Sequence, residues 1–319
     1  MSATEVSVVI PTLNAGPGFE DLLEGISAQR GGFNVEVVVV DSGSEDGTPE
    51  LAKRHGVSVH CIPPSEFDHG ATRNLGVSLS RGEYVALTVQ DALPLDENWL
   101  EAMVESLERD DQVAGVYGRQ VPHPGAGTLA RALTNNLATA SPERREQYIE
   151  SEESYRRAPA VEKRRVVAFD DVSSCIRRSV WEELPFERTS FGEDLRWGKA
   201  VVEAGYRLVY EPRSAVFHSH ERGALYELRR HYVDAAILSE LFGEGPVVDL
   251  RRLIPGIPFA TAHHYRMLRR EAKGENVPWT SAVAVRQAAL SRLGAYLGGR
   301  SESIARTSPR LHELLSKGI

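Results

Sequence analysis

An α/β protein built on a mainly parallel sheet is the fold class that three observations predict. Short runs of β-branched residues alternate with amphipathic stretches through the first half of the chain. Two of those runs are apolar almost throughout, as strands covered on both faces are, and the strand–helix–strand order implies right-handed crossovers.

Taken in order, VSVVI (6–10), VEVVVV (35–40), VSVHCI (57–62) and YVALTV (84–89) are the expected strands. Helical periodicity over 18–29, 48–55, 71–80 and 97–109 supplies the crossovers, with Asp96 placed to cap the last. Ligands of such sheets sit at the carboxyl ends of the strands, where Thr12, Asn14, Asp41, Ser42 and Asp91 all fall. From 122 to 165 the pattern dissolves into PHPGAG and the charge-rich SPERREQYIESEESYRRAPAVEKRR, read either as a solvated helix and loop or as a functional flap. Regular structure resumes with VSSCIRRSVWEEL and FGEDLRWGKAVVEAGYRLVYEPRSAVFHSH, so one domain is expected over 1–220. The region 221–319 reads as mostly helical. Its apolar stripes are expected packing faces, and the arginines along them keep an interfacial role open.

At 319 residues, with 41% hydrophobic and 26% charged residues, the chain has the composition of a globular protein. A net charge of -8 and a pI near 5.8 exclude the broad basic field of a nonspecific nucleic-acid binder. Cys61 and Cys175 match no metal spacing or disulfide framework and are expected as small core residues in a reducing compartment. The first residues lack a signal peptide's basic region, and no apolar run approaches the roughly 20 residues of a membrane span. A cytoplasmic protein, touching a membrane at most from its inner face, is therefore expected.

Four clusters at strand ends carry chemistry. Asp41, directly after VVVV, places a fixed acceptor where it could take the imide N–H of a uracil or thymine. FDHGATRNLG (67–76) is expected to put Arg73 and Asn74 in the first turn of a helix behind a flexible Gly70, where free N–H groups and a guanidinium fork suit a diphosphate. Asp91 with His218 and His220 points to a divalent metal. Two apart on a strand, the imidazoles share a face, so both could ligate or one could support the other. Oxygen and imidazole ligands together suit Mn²⁺, with Mg²⁺ also possible. In FGEDLRW (191–197), Glu193 and Asp194 open a helix, so one carboxylate can reach a cleft as general base while the other caps or orients.

In this order, VVIPTLN, VVVVDSGSEDGT, ATRNLG, QDALPLDENWL, GEDLRW and the closing VFHSH resemble the family 2 glycosyltransferases over roughly residues 5–220. FDHGATRNLG, LTVQDALP and VSSCIRRSVWEELPF look most like the family's bacterial rhamnosyltransferase branch. The resemblance implies a GT-A, Rossmann-like architecture: a mixed, mainly parallel central sheet flanked by helices, with a helical C-terminal extension. It assigns Asp41 to the nucleotide base and Arg73 to the donor diphosphate, with Pro11, Thr12, Asn14, Ser42 and Gln90 completing the donor-binding set. Asp91 becomes the metal-binding acid, His218 and His220 its partners, and Asp194 the catalytic base. The departure is at Gln90, Asp91 and Ala92, where members often carry two or three acids. Gln90 can offer only a neutral carbonyl or a hydrogen bond to ribose, so metal affinity should lean on the donor diphosphate.

The implied function is inverting, metal-dependent transfer of a hexosyl group, L-rhamnose from dTDP-rhamnose, to a hydroxyl of a cell-surface glycan or its lipid-linked precursor. Another UDP- or dTDP-sugar, or a noncatalytic glycan- or nucleotide-binding module, are the alternatives. A nucleotidyltransferase would carry a basic glycine-rich loop after the first strand, and PTLNAGPG has no Lys or Arg. A dinucleotide oxidoreductase would show G-x-G-x-x-G. Helices beyond 221 are expected to dock the protein near its acceptor or to pair two copies.

Overall fold

The computed structural model describes residues 4–243, 245, 249–272, 274 and 277–317. Its strands are β1 (Thr4–Thr12), β2 (Phe33–Asp41), β3 (Ser58–Cys61), β4 (Tyr84–Thr88), β5 (Leu93–Pro94), β6 (Val113–Val121), β7 (Arg145–Gln147), β8 (Ser173–Arg177) and β9 (Arg207–Phe217). The α-helices are α1 (Gly18–Ser27), α2 (Thr48–Arg54), α3 (His69–Leu79), α4 (Trp99–Glu108), α5 (Thr128–Asn135), α6 (Glu152–Arg157) and α7 (Ala160–Val166), then α8 (Arg178–Glu183), α9 (Glu193–Glu203), α10 (Ala224–Phe242), α11 (Leu250–Glu271), α12 (Val277–Gly298), α13 (Ser301–Thr307) and α14 (Pro309–Ser316).

Contacts divide the chain into two compact units. The first takes residues 1–121, 137–150 and 166–218, the second 122–136, 151–165 and 219–319. The segment 122–165 is thus shared between them, and it contributes a strand, β7, to the sheet of the first.

That sheet has the order β3-β2-β1-β4-β8-β6-β9-β5, with β7 also on β9. β3, β2, β1 and β4 run parallel, as the crossover pattern of the first half requires. β8 then enters antiparallel between β4 and β6, and β6 and β9 pair in parallel. Mixed topology enters through the second half, where the sequence shows no repeating strand–helix pattern. Val6, Val8 and Ile10 of β1, Val39 of β2 and Ala86 of β4 join Phe19, Leu22 and Ile26 of α1 and Trp99, Met103 and Leu107 of α4 in one buried cluster. Each large apolar side chain in it contributes roughly 1.5–3 kcal/mol. Trp99 meets its one polar requirement by donating from Nε1 to Ser173 Oγ at 2.9 Å.

Several expectations need correction. Asp96 does not cap α4: the cap residue is Asn98, and the Asp96 carboxylate instead accepts from the Asn98 N–H, closing a tight turn. Cys175 is a core residue, but Cys61 is exposed, because β3 lies at the sheet edge and only one side of it is covered. The strand carrying VFHSH ends at Phe217, so His218 and His220 stand just beyond it.

The second unit is helical. Ala132 of α5, Met267 and Leu268 of α11, and Val283 and Ala284 of α12 form its small buried core. Arg164 clamps Asp234 of α10 with two hydrogen bonds of 2.8 and 2.7 Å, the fork-to-carboxylate geometry that arginine favours. Among the described residues, no helix is long and apolar enough to cross a membrane.

Candidate active site

At the carboxyl edge of the parallel strands two loops are stitched together. Asn14, the one non-glycine residue at positive φ (48°) among those described, turns the chain after β1. Its N–H donates to Ser44 Oγ, its Oδ1 accepts from the Glu45 N–H, and the Ala15 N–H donates to Thr48 Oγ1. Asp41 organises the other side. Its Oδ1 accepts from the Thr12 and Ser44 hydroxyls and its Oδ2 from the Gly43 and Ser44 N–H groups. A carboxylate has about four acceptor positions, and all are filled here. Buried and hydrogen-bonded through both oxygens, Asp41 anchors the two loops. Gln90 is likewise engaged, its Oε1 accepting from the Leu13 N–H at 2.8 Å and its Nε2 donating to the Leu13 carbonyl at 3.2 Å. That two-point clamp fixes the end of β1.

These loops wall a cavity of about 270 Å³ lined by Pro11, Thr12, Ser42, His69, Arg73 and Gln90 with apolar neighbours. The Ser42 hydroxyl is buried and has no hydrogen-bond partner among the described residues, an orphan polar atom that a ligand would satisfy.

Arg73 does not sit in the first turn of its helix. Asp68 caps α3, accepting from the Ala71 N–H at 2.9 Å, which puts Arg73 and Asn74 one turn further in. Gly70 is also not a flexible point: a Cβ there would fall on the Glu187 carbonyl, so glycine is required for close approach. Asn74 is structural, bonded to Trp181 Nε1 and to the backbone of Phe186. Arg73 is buried, and its fork is already shared. Nη1 lies 2.9 Å from Glu193 Oε1, and Nε lies 3.0 Å from Asp171 Oδ2, the latter contact outside hydrogen-bond geometry. A buried guanidinium needs such partners. Burial alone would lower its pKa, but Glu193 and Asp171 hold it above the ordinary value.

Glu193 and Asp194 open α9, positioned by Gly192 in the left-handed region at φ 73°, where a side chain would be strained. Glu193 does not cap; it is committed to Arg73. Asp194 is partly exposed, and its Oδ1 accepts from the Leu195 N–H at 2.6 Å. Burial, with Glu193, Asp171 and Asp170 adding repulsion, holds the Asp194 carboxyl well above the usual carboxylate range. Asp171 is pushed up to about 7, by burial first and by Glu193, against the pull of Arg73. Glu193, Asp171, Asp194 and Asp170 all act on the one guanidinium, and burial with mutual repulsion favours the protonated form at Asp171 and Asp194. His69, on the cavity wall with Nδ1 3.9 Å from Glu193, is kept neutral by burial.

Asp91 and His218 meet at the same edge, Oδ1 to Nε2 at 3.8 Å. His220 is held near by its short tether to His218, and one ligand atom from each of Asp91, His218 and His220 lies within 4.8 Å of the others. Behind His218 stands a relay: Gln120 Nε2 donates to Asp170 Oδ2 at 2.8 Å, and Gln120 Oε1 faces His218 Nδ1 at 2.9 Å. Because the amide nitrogen must face the carboxylate, its oxygen must accept from Nδ1–H. His218 is thereby fixed in the tautomer that leaves Nε2 as a lone-pair donor toward Asp91. One carboxylate oxygen with imidazole nitrogens fits a divalent ion such as Mn²⁺.

Asp170 and Asp171 are the residues that sequence reading missed. Adjacent in the chain, they connect the halves of the site, Asp170 through Gln120 to His218 and Asp171 to Arg73 in the cavity wall. The signal lay in FDDVSSC, a pair of acids directly before a buried strand.

The model of the family described as Glycosyl transferase family 2 matches residues 7–184. The chain belongs to that family. It is 31% identical over 231 residues to the O-antigen chain rhamnosyltransferase WbaN of Salmonella anatum, covering 71% of this chain and 70% of that one. It is 30% identical over 233 residues to the rhamnosyltransferase RfbN of Salmonella typhimurium, covering 72% and 70%. Among solved structures, the mannosyltransferase PcManGT from Pyrobaculum calidifontis, in complex with GDP-Man and Mn²⁺, superposes with a TM-score of 0.54 at 22% identity, over 97% of this chain and 84% of that one. The architecture is GT-A, and this family 2 glycosyltransferase is similar to bacterial rhamnosyltransferases over most of its length.

Proposed function

We propose that this glycosyltransferase moves L-rhamnose from dTDP-rhamnose, with inversion, to a hydroxyl of a cell-surface glycan or its lipid-linked precursor. The observation that carries the reading is the continuity of the site, in which the pair Asp170–Asp171 joins the Asp91–His218 edge to the cavity wall at Arg73. Likeness to two rhamnosyltransferases supports the donor sugar, and the GDP-Man and Mn²⁺ of the mannosyltransferase structure support a nucleotide-sugar donor with a divalent ion.

In this reading the nucleotide lies in the cavity, with the Ser42 hydroxyl as a free polar contact and Thr12 and Gln90 in the wall. Asp91, His218 and His220 would hold the ion, which when bound offsets charge on the departing diphosphate. Arg73 contributes positive charge from the wall while Asp171 and Glu193 keep it in place. The acceptor oxygen attacks the anomeric carbon, the bond from that carbon to the phosphate oxygen breaks, and the acceptor proton passes to Asp194. No covalent intermediate is required. Burial and the neighbouring acids raise the proton affinity of Asp194, the direction that suits a group accepting a proton.

Incubation with a panel of sugar nucleotides and Mn²⁺ tests the reading, with free nucleotide diphosphate as the product. Release of dTDP from dTDP-rhamnose, faster than the corresponding release from UDP- or GDP-sugars, is expected. Release of pyrophosphate, or release from another donor only, rules out the donor assignment.

The histidine relay gives a separate expectation. Gln120→Leu should weaken Mn²⁺ binding in the presence of dTDP by about tenfold or more. The exchange Q120E with D170N reverses donor and acceptor while keeping every bond, so it should recover most of that loss. A leucine variant that binds Mn²⁺ as well as wild type would exclude the relay.

A further inference from the structure

The exposed face of α11 has a pattern the transferase reaction does not use. Ile254 is 66% exposed and Phe259 79%, and Pro255, Pro258 and Ala262 are exposed between and beyond them, whereas only Met267 and Leu268 of this helix are buried. At 100° per residue these five apolar side chains fall within one half of the helix surface, over about 12 Å of axis. Arg251 and Arg252 precede the apolar belt and Arg266, Arg269 and Arg270 follow it, all exposed on the same half. No acidic residue occurs between 250 and 270, in a chain whose net charge is -8. None of the five arginines has an ion-pair partner among the described residues.

We propose that this face is a docking surface for a bilayer of anionic phospholipid, with Ile254 and Phe259 inserted at the headgroup boundary and the flanking arginines on lipid phosphates. An apolar belt with basic residues at both ends is what a helix lying in a membrane interface presents. Charge decides between this occupant and a second copy of the chain. A two-fold contact through α11 would bring arginines of one copy against arginines of the other, and the face has no carboxylate to relieve that repulsion. Anionic headgroups complement both ends at once. The inference does not depend on the donor or the metal.

Flotation of the full chain with vesicles tests it. Binding is expected to phosphatidylcholine vesicles containing about one third phosphatidylglycerol, to be weak with phosphatidylcholine alone, and to fall as salt is raised. Replacing Arg251 and Arg252 by Gln should weaken partition on the order of 30-fold, and Ile254→Ser with Phe259→Ser should weaken it at least tenfold, donor hydrolysis being unchanged in both. Absence of flotation, equal binding to neutral vesicles, or insensitivity to both pairs overturns the proposal. So does a concentration-dependent dimer that Phe259→Ser dissociates in a protein that ignores vesicles. If either pair fails to fold, the salt dependence and lipid selectivity of the wild-type chain decide.

Discussion

Asp194→Asn is expected to lower turnover by roughly 10² to 10⁴ while leaving donor affinity within a factor of about two. The substitution keeps the shape and the Oδ1 acceptor used by the Leu195 N–H but removes the site that would take the acceptor's proton. It also removes one of the four acids around Arg73, so the protein should tolerate it. The pH profile separates this role from a structural one. Burial and the neighbouring acids raise the Asp194 pKa, so the acid limb of kcat/KM for wild type should lie above the ordinary carboxylate range and activity should rise with pH through it. That limb should vanish in the Asn variant. Retention of more than a tenth of wild-type turnover, or an unaltered acid limb, would assign the proton to another group.

Arg73→Ala should destabilise the protein by about 3–5 kcal/mol at pH 8, because it strands Asp171 and Glu193 in a buried setting without their cation. The sign of the pH dependence follows from the same cluster. A carboxyl whose folded pKa is raised binds its proton more tightly than the unfolded chain does, so its stabilising effect is present at low pH and lost as pH rises through the folded value. For Asp171 in wild type that loss extends from about 4 to about 7. Without Arg73 the carboxyls move higher still, so the deficit should be small at pH 5 and largest at pH 8. Urea denaturation at both values measures it, and a deficit below about 1 kcal/mol at pH 8 would mean the ion cluster does not hold the fold.

Much of the architecture was legible because its signals are local. Val6–Ile10 and Tyr84–Thr88 are apolar β-branched runs that only a covered strand accommodates, and the acids and amides at their ends mark the ligand edge. Asp91 and His218 follow the ends of β4 and β9, and Asp194 stands at the start of α9, positions marked by local sequence signals; the roles expected of them came from the family resemblance. What stayed hidden is set by register and burial. Gln120 reaches His218 only because β6 and β9 pair in parallel with Gln120 opposite Val216, after a register shift between Gly118 and Arg119. Arg73 looked like a free fork because its partners lie 98 and 120 residues further along the chain. The hydrogen bonds of Asp41 to Thr12 and the Gly43–Ser44 turn were not legible because they arise only when the loops close. The exposed acceptors were readable from sequence; the order in which the protein itself fills them was not.

The most direct test of a single shared site is the thermodynamic coupling between Mn²⁺ and dTDP-rhamnose, measured by calorimetric titration of the donor with and without the ion. With one carboxylate and neutral imidazoles as its ligand set, the protein alone should bind Mn²⁺ weakly. Each ligand should therefore tighten the other at least tenfold, about 1.4 kcal/mol, in wild type and not in Asp91→Ala. Tight Mn²⁺ binding to the donor-free protein that survives Asp91→Ala, or donor affinity indifferent to the ion, would separate the metal from the diphosphate and break the site apart.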